Sequence, residues 1–397
     1  KQLIRVGLVA KSVSSTERGA FRVCAFGKRE AAMTATRYHG LDALRAVAMV
    51  LGVVLHSALV YLEPGILATV LPGTEVQPEP PMAATSILMF WIHIWRMPAF
   101  FLLAGFFSQM VLQQKGANWF LRDRSVRILG TFVVFLFLFN LVTGGSWGRL
   151  DHLWFLWFLV WYSAIALVLD YGSFSEVLRP ALWFFDRTWR LMLLVVPTIL
   201  LVWVLKEDAL AHRIPGQPGS GAAWHGFLFY FAFFAFGQAL WFRRERIGDI
   251  KRPWIWGGLL GLGTIGLITL LGLVQAEAGL IWKIIPAGAA TFGWTLGLIG
   301  MAESVIRGPA RWIRIGVRLA YPVYLFHLYP AVAYSALLVA LGLPQWVAMP
   351  INWMLTLATS VLLYLVLVRF TPLDWLLAGY EKSWFKWPFA RKLKPSA

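Results

Sequence analysis

Two ionisable side chains within the stretch GLDALRAVAMVLGVVLH, residues 40–56, have the types and spacing that chemistry requires. Arg45 and His56 are eleven residues apart, so at 100° per residue they share one helix face, about 16 Å apart along the axis. Arg45 alone is consistent with a snorkelling anchor at a membrane surface, and His56 alone with a structural histidine. Since ionisable groups inside a membrane are costly and usually face a cavity or a partner, their shared face also indicates a functional site.

A second pair of ionisable residues lies in WIHIWRMPAFFLLAGFFS, residues 91–108. Arg96 is far from both flanks of this apolar stretch, too deep for comfortable snorkelling. We expect it either to neutralise a buried acid, Asp42 or Glu303, or to bind an anionic group of a substrate. His93 most simply packs or makes a local hydrogen bond.

Two arginines follow in FLRDRSVRIL, residues 120–129. Arg124 and Arg127 are one helical turn apart, so both guanidinium groups can bind one anion, and phosphates suit this planar fork well. The alternative is that both arginines only set membrane topology, because the loops on their side are all basic.

Two polar residues begin the aromatic stretch DHLWFLWFLVWY, residues 151–162. Asp151 and His152 could bind a polar acceptor beside Trp154 and Trp157, since indole rings stack on sugar faces. A tryptophan belt at the membrane interface has the same composition.

The stretch YPVYLFHLYP, residues 321–330, adds two tyrosines and a histidine. Tyr321 and Tyr324 share a helix face with His327 only loosely. A joint site therefore needs a distortion of the helix, which Pro322 or Pro330 could provide.

The elements that must hold these residues are long apolar segments. The chain of 397 residues is 59% hydrophobic and 14% charged, with 22 Trp and a mean hydropathy of +0.67, which is typical of a polytopic membrane protein. A helix needs about 20 apolar residues to cross the hydrocarbon core. The sequence predicts an all-α bundle of ten transmembrane helices, at residues 41–62, 84–112, 127–143, 153–170, 189–205, 223–242, 254–274, 280–302, 319–341 and 347–369.

Basic residues are concentrated on one side of these predicted spans. Loops after the even-numbered spans and the C-terminal tail hold most of them, whereas the opposite loops hold only Arg149, Lys206, Arg213 and Lys283. This asymmetry predicts that both termini are cytoplasmic. The net charge of +17 is divided into short clusters, so we expect the lipid bilayer, and no nucleic acid, as the partner of these charges.

The ends of the chain differ from the apolar middle. We expect residues 1–36 to be a basic extension, disordered or upstream of the true start, residues 37–375 to be the transmembrane domain, and residues 376–397 to be a basic cytoplasmic tail. Cys24 is the only cysteine, histidines are few and acidic clusters are absent, so no metal site is predicted. The sequence has no Gly-rich phosphate loop, no His-Glu-x-x-His and no Gly-x-Ser-x-Gly.

Taken together, these stretches resemble the membrane acyltransferase type 3 family. GLDALRAVAMVLGVVLH, with its Arg-x10-His spacing, is similar to the first helix of that family, and RMPAFFLLAGFF, RSVR, HLWFLWFL and YPVYLFH follow in the family's order. The resemblance covers residues 37–375. Within the family, LHSALVY, RMPAFFLLAGFFS and VRFTPLDWLLAG resemble the glucan biosynthesis protein C branch, which succinylates osmoregulated periplasmic glucans.

This resemblance implies a multi-pass O-acyltransferase of the bacterial inner membrane. It would move an acyl group, succinyl or else acetyl, from cytoplasmic acyl-CoA to a hydroxyl of a periplasmic or cell-surface glycan, with no permanently bound cofactor. The resemblance also implies roles for single residues. His56 would be the general base, and Arg96 or Tyr324 would donate to the oxyanion. The phosphates would be bound by Arg45, Arg124 and Arg127, and the substrate by His152, Trp154 and His327. With a succinyl donor, Arg96 could instead hold the distal carboxylate.

Two questions stay open at this level. Soluble acyltransferases often pair the base histidine with a carboxylate, but Asp42 and Glu63 are both too far from His56 on its own helix, so an orienting partner must come from another helix. A transporter or flippase of a glycan or an anionic solute is the alternative function, since charged residues in mid-membrane also mark solute pathways.

Overall fold

The apolar segments form long helices in the computed structural model, which describes residues 38–63, 65–74, 76–144, 150–171, 174–205, 223–379 and 383. Regular structure in these ranges is entirely helical. Among the described residues, nine helices are long and apolar enough to cross a membrane, and a bent pair, α9 and α10, makes up to ten spans, which confirms the predicted helical bundle. In chain order the helices are α1 His39–Ser57, α2 Ala83–Lys115, α3 Ala117–Thr143, α4 Asp151–Asp170, α5 Thr188–Leu205, α6 Trp224–Phe242, α7 Pro253–Gln275, α8 Leu280–Val305, α9 Arg311–Phe326, α10 Leu328–Ala340 and α11 Gln345–Val368.

Shorter helices connect or flank these spans. Leu59–Leu62 and Gly65–Val70 follow α1, Phe174–Phe185 follows α4, Arg246–Ile250 follows α6, and Leu373–Ala378 follows α11. The expected extension at 1–36 and most of the expected tail lie outside the described residues.

α3 begins ten residues before the predicted third span. Its first turns, ANWFLRDR, are polar, so a count of apolar residues alone places the start too late. Gly116, with φ +80°, separates it from α2. The extension puts Arg124 and Arg127 on a continuous helix, in which Ser125–Gly130 is a π-helical turn.

α8 lies at the centre of the bundle. It contacts α1, α2, α5 and α7, and 83% of its apolar window is buried. Lys283 and Pro286 make its sequence poorly apolar for a span. Because protein rather than lipid surrounds it, the helix has no need of a uniformly apolar surface.

α2 and α6 cross at two glycines. A Cβ atom on Gly105 would lie 1.9 Å from the Phe234 carbonyl oxygen, and one on Gly237 would lie 1.8 Å from that of Leu102. The two backbones are thus in direct contact, as small residues permit within membranes.

The predicted ninth span is broken in the structure. α9 ends at Phe326, α10 begins at Leu328, and their axes differ by 66°. Pro330 lies in the first turn of α10 and has no N–H to donate to the Phe326 carbonyl, which favours a break at this point. Helical geometry continues through Pro322, so the distortion that the sequence allowed at either proline occurs at the second.

Candidate active site

One cavity brings together six of the residues selected from the sequence. His56, Arg96, His152, Trp154, Tyr324 and His327 all line it. They come from α1, α2, α4, α9 and the break between α9 and α10. The other lining residues are Met49, Gly52, Met97, Phe100 and Phe155.

Three histidine rings line this cavity. The ring centroids of His56 and His327 are 5.0 Å apart, and those of His152 and His327 are 5.7 Å apart. His152 and His327 are almost fully buried. Among the described residues, no group of His, Cys, Asp or Glu has an arrangement that could hold a metal ion.

Backbone carbonyls fix the tautomers of two of these rings. His152 Nε2 lies 2.9 Å from the Leu325 oxygen, and His327 Nδ1 lies 2.8 Å from the Tyr324 oxygen. A carbonyl oxygen only accepts, so each of these nitrogens carries the hydrogen and the other is left as an acceptor. Those other atoms, His152 Nδ1 and His327 Nε2, are buried and have no hydrogen-bond partner.

Arg96 lies against α1, and no acidic residue in the described ranges pairs with it. A Cβ atom at Gly52 would be 2.5 Å from Arg96 Nη1, so the guanidinium group occupies the space that this glycine leaves, one turn before His56. Its Nε and Nη1 atoms are buried and unpartnered, and Nη2 only contacts Met97 Sδ at 3.5 Å.

The predicted ion pair of Arg96 with Asp42 or Glu303 is therefore wrong for the described residues. Glu303 instead accepts a hydrogen bond from the Leu41 N–H at 2.8 Å, at the N-terminus of α1, where a negative charge is stabilised by the helix dipole. Asp42 lies close enough to interact with Arg45. A buried cation without a partner is costly. The remaining prediction for Arg96 is therefore that it binds an anionic group of a substrate.

Aromatic residues form one wall of the cavity. Trp154 is 8% exposed and packs against Tyr230 and Phe158, so it does not belong to a tryptophan belt at the lipid interface. The Tyr324 hydroxyl donates to the His152 backbone oxygen at 2.6 Å. That hydroxyl is thus already engaged, whereas Arg96 has free donors.

A second basic group lies at the start of α3. Arg124 and Arg127 approach one anion, as predicted from their spacing, but that anion is the Asp123 carboxylate, at 3.8 Å and 3.6 Å. Arg127 also donates to the Leu377 backbone oxygen at 3.2 Å. Arg45 lies over the Phe107 ring at 5.4 Å and is close enough to interact electrostatically with Arg124 and Arg127. We call Arg45, Arg124 and Arg127 the arginine cluster.

Two tyrosines of α9 connect the arginine cluster to the cavity. Tyr321 donates through its hydroxyl to the Arg127 backbone oxygen at 2.7 Å. Its ring is stacked on that of Tyr324, with centroids 6.3 Å apart and planes at 17°. Tyr324 then lines the cavity.

Two contributors were not selected from the sequence. Gly52 makes room for Arg96, and its position one turn before His56 was the available signal. Asp123, between the two arginines, is visible in the sequence as the acid of RDRSVR, but its role depends on the side-chain geometry.

In the part of the chain that the structure describes, up to ten helices could span a membrane, and some of them enclose a cavity of histidines and an unpaired arginine, which defines the class as a multi-pass membrane protein. The acyltransferase domain of the type 3 family matches residues 38–369, so the chain belongs to this family and is a membrane acyltransferase. Comparisons with curated proteins and with solved structures gave no match. The resemblance to the family is thereby confirmed, and it supports a transferase; the narrower resemblance to the glucan biosynthesis protein C branch stays a prediction.

Proposed function

We propose that this protein transfers an acyl group from acyl-CoA to a hydroxyl of a glycan outside the cytoplasm, with the bacterial inner membrane as its location. The observation that carries the proposal is the meeting of His56 and the unpaired Arg96 in one buried cavity of an acyltransferase domain. Succinyl is the favoured acyl group, because the sequence resembles the glucan biosynthesis protein C branch.

The arginine cluster is the proposed site for the phosphates of acyl-CoA. The basic loops predict that this end of α1 and α3 faces the cytoplasm, where acyl-CoA is found. A donor phosphate would replace the Asp123 carboxylate between Arg124 and Arg127, since both are anions that accept from guanidinium groups. Tyr321 and Tyr324 would then guide the acyl chain towards His56.

The proposed reaction needs one base and one oxyanion donor. His56 takes the proton from the acceptor hydroxyl as the hydroxyl oxygen attacks the thioester carbonyl. Arg96 donates to the carbonyl oxygen while it carries negative charge. The carbon–sulfur bond then breaks, and the proton passes from His56 to the sulfur, which gives the ester and free CoA.

The acceptor is proposed to enter the cavity beside α4. His152 presents its unpartnered Nδ1 there and Trp154 its indole ring, which suit a sugar. Aromatic side chains pack against the apolar faces of sugar rings. The unpartnered His152 Nδ1 could then accept a hydrogen bond from a sugar hydroxyl.

Mass spectrometry of periplasmic glucans tests this proposal. Cells that express the wild-type gene should carry succinylated glucans, and cells without it should not. Acetylated glucans would support the transferase activity but identify acetyl-CoA as the donor. Identical glucans in the two strains, together with no transfer from labelled acyl-CoA by the protein in nanodiscs, would refute the proposed substrates.

A further inference from the structure

We infer that His327 is the positioning residue that orients His56, by accepting a hydrogen bond from His56 Nδ1–H at its own Nε2. This inference rests on the proposed function. In the Ser-His-Asp triad a carboxylate holds the base histidine in the correct tautomer. Here a second histidine, itself held by the backbone, takes that place.

The acceptor state of His327 follows from its own hydrogen bonds. Its Nδ1 lies 2.8 Å from the Tyr324 oxygen and 3.0 Å from the Val323 oxygen, so Nδ1 carries the hydrogen. Nε2 then holds a lone pair, and it is buried without a partner.

His56 supplies the matching donor. Its Nδ1 is also buried and unpartnered, and its ring lies next to that of His327, with centroids 5.0 Å apart. At this separation of the centroids, two imidazole nitrogens that face each other are within hydrogen-bonding distance. One bond would satisfy both atoms and leave His56 Nε2 as the base.

No carboxylate competes for this role among the described residues. The groups close enough to influence His56 electrostatically are His327, Arg96, His152 and His93. His152 contacts the ring of His327 at 5.7 Å, and no ring contact joins it to His56 in the described part of the chain. His327 is therefore the partner that the geometry supports.

Buried polar residues join the helices next to the two histidines. Asn352 on α11 donates to the Ala331 oxygen at 2.9 Å and to Ser335 at 3.0 Å, both on α10 beyond the break. Ser335 in turn donates to the backbone oxygen of Ser57, the residue after His56. The end of α1 is thus joined to α10, the helix that follows His327. Ser57 and Ser335, which make this contact, are both buried.

The experiment compares His327→Asn and His327→Gln in nanodiscs with labelled acyl-CoA. The Asn amide reproduces a donor at the Nδ1 position and leaves no acceptor at Nε2, whereas the Gln oxygen can reach the Nε2 position. We expect His327→Asn to lower kcat about 100-fold with little change in KM for acyl-CoA, and His327→Gln to recover at least about tenfold of that loss. His225→Asn, a histidine of α6 that does not line the cavity, is the matched control.

Several results would overturn the inference. Wild-type kcat in His327→Asn would do so, as would equal loss in both variants when their thermal stability matches the wild type. If His327→Asn does not fold, ¹⁵N NMR of labelled histidine in the wild-type protein decides: a His56 with its hydrogen on Nε2 contradicts the bond, and one with its hydrogen on Nδ1 supports it. Wild-type protein that transfers no acyl group from any acyl-CoA would instead refute the proposed function.

Discussion

Replacement of Gly52 by alanine is expected to disable catalysis without unfolding the protein. The new Cβ atom would lie 2.5 Å from Arg96 Nη1 and 3.4 Å from Arg96 Cζ. An ordinary contact is about 3.5 Å, so the guanidinium group must move by about 1 Å. The atoms in the way are the far end of a flexible side chain, which can shift, and not backbone.

The size of the effect follows from what Arg96 is proposed to do. Misplacement of a catalytic group by about 1 Å costs about 100-fold in rate, and loss of one oxyanion donor costs about 10²–10³ in kcat. We therefore expect Gly52→Ala to lower kcat about 100-fold. KM for acyl-CoA should change little, because the arginine cluster is not touched. Folding should be nearly unaffected, since alanine is favoured over glycine within a helix by about 1 kcal/mol.

The assay measures transfer and thioester hydrolysis with labelled acyl-CoA in nanodiscs. Gly261→Ala on α7 is the matched control, because a Cβ atom there meets nothing within 4 Å. It should keep wild-type kcat and show the same gain in helix propensity. If Gly52→Ala also keeps wild-type kcat in a folded protein, then Arg96 does not act where the structure places it, and the oxyanion role is refuted.

Further predictions concern other parts of the molecule. Arg96→Ala should lower kcat alike for acetyl-CoA and succinyl-CoA in the transfer assay, because the oxyanion forms with either donor; a loss confined to succinyl-CoA would assign the guanidinium group to the distal carboxylate. Arg124→Ala should raise KM for acyl-CoA about tenfold with a smaller change in kcat, as expected for a lost charged hydrogen bond; an unchanged KM in steady-state kinetics would make it a topology charge only. Asp123→Asn should lower the same KM, since it removes the anion that competes with the donor phosphate, and a raised KM would contradict that competition. Gly105→Ala should abolish the folded bundle, because its Cβ would meet the Phe234 backbone oxygen at 1.9 Å; a normal size-exclusion profile in detergent would contradict the close crossing of α2 and α6.

Local periodicity was sufficient to predict the helices and the shared face of Arg45 and His56. Both depend on residues near one another in the chain, so apolar length and the 100° repeat determine them. The structure keeps both residues on the single helix α1. The same local counting placed the start of α3 too late, because a helix can continue beyond the hydrocarbon with polar residues.

The partners of the charged residues could not be derived in this way. Arg96 was expected to have an acid, yet Glu303 instead accepts a hydrogen bond near the start of α1, and Arg96 fills the space left by Gly52. Such partners depend on how distant helices pack, which hydrophobic pattern does not specify. The break at His327 was foreseen as a possibility, but only the packed structure selects Pro330 over Pro322.

The most direct test of the proposed mechanism is acyl transfer by the His56→Ala variant in nanodiscs. The protein is reconstituted with labelled succinyl-CoA and isolated periplasmic glucan, and ester formation is followed by mass spectrometry. Removal of the general base should reduce transfer by about 10²–10⁴-fold, while expression and thermal stability stay at wild-type values. Transfer at the wild-type rate by a folded His56→Ala protein would contradict the account.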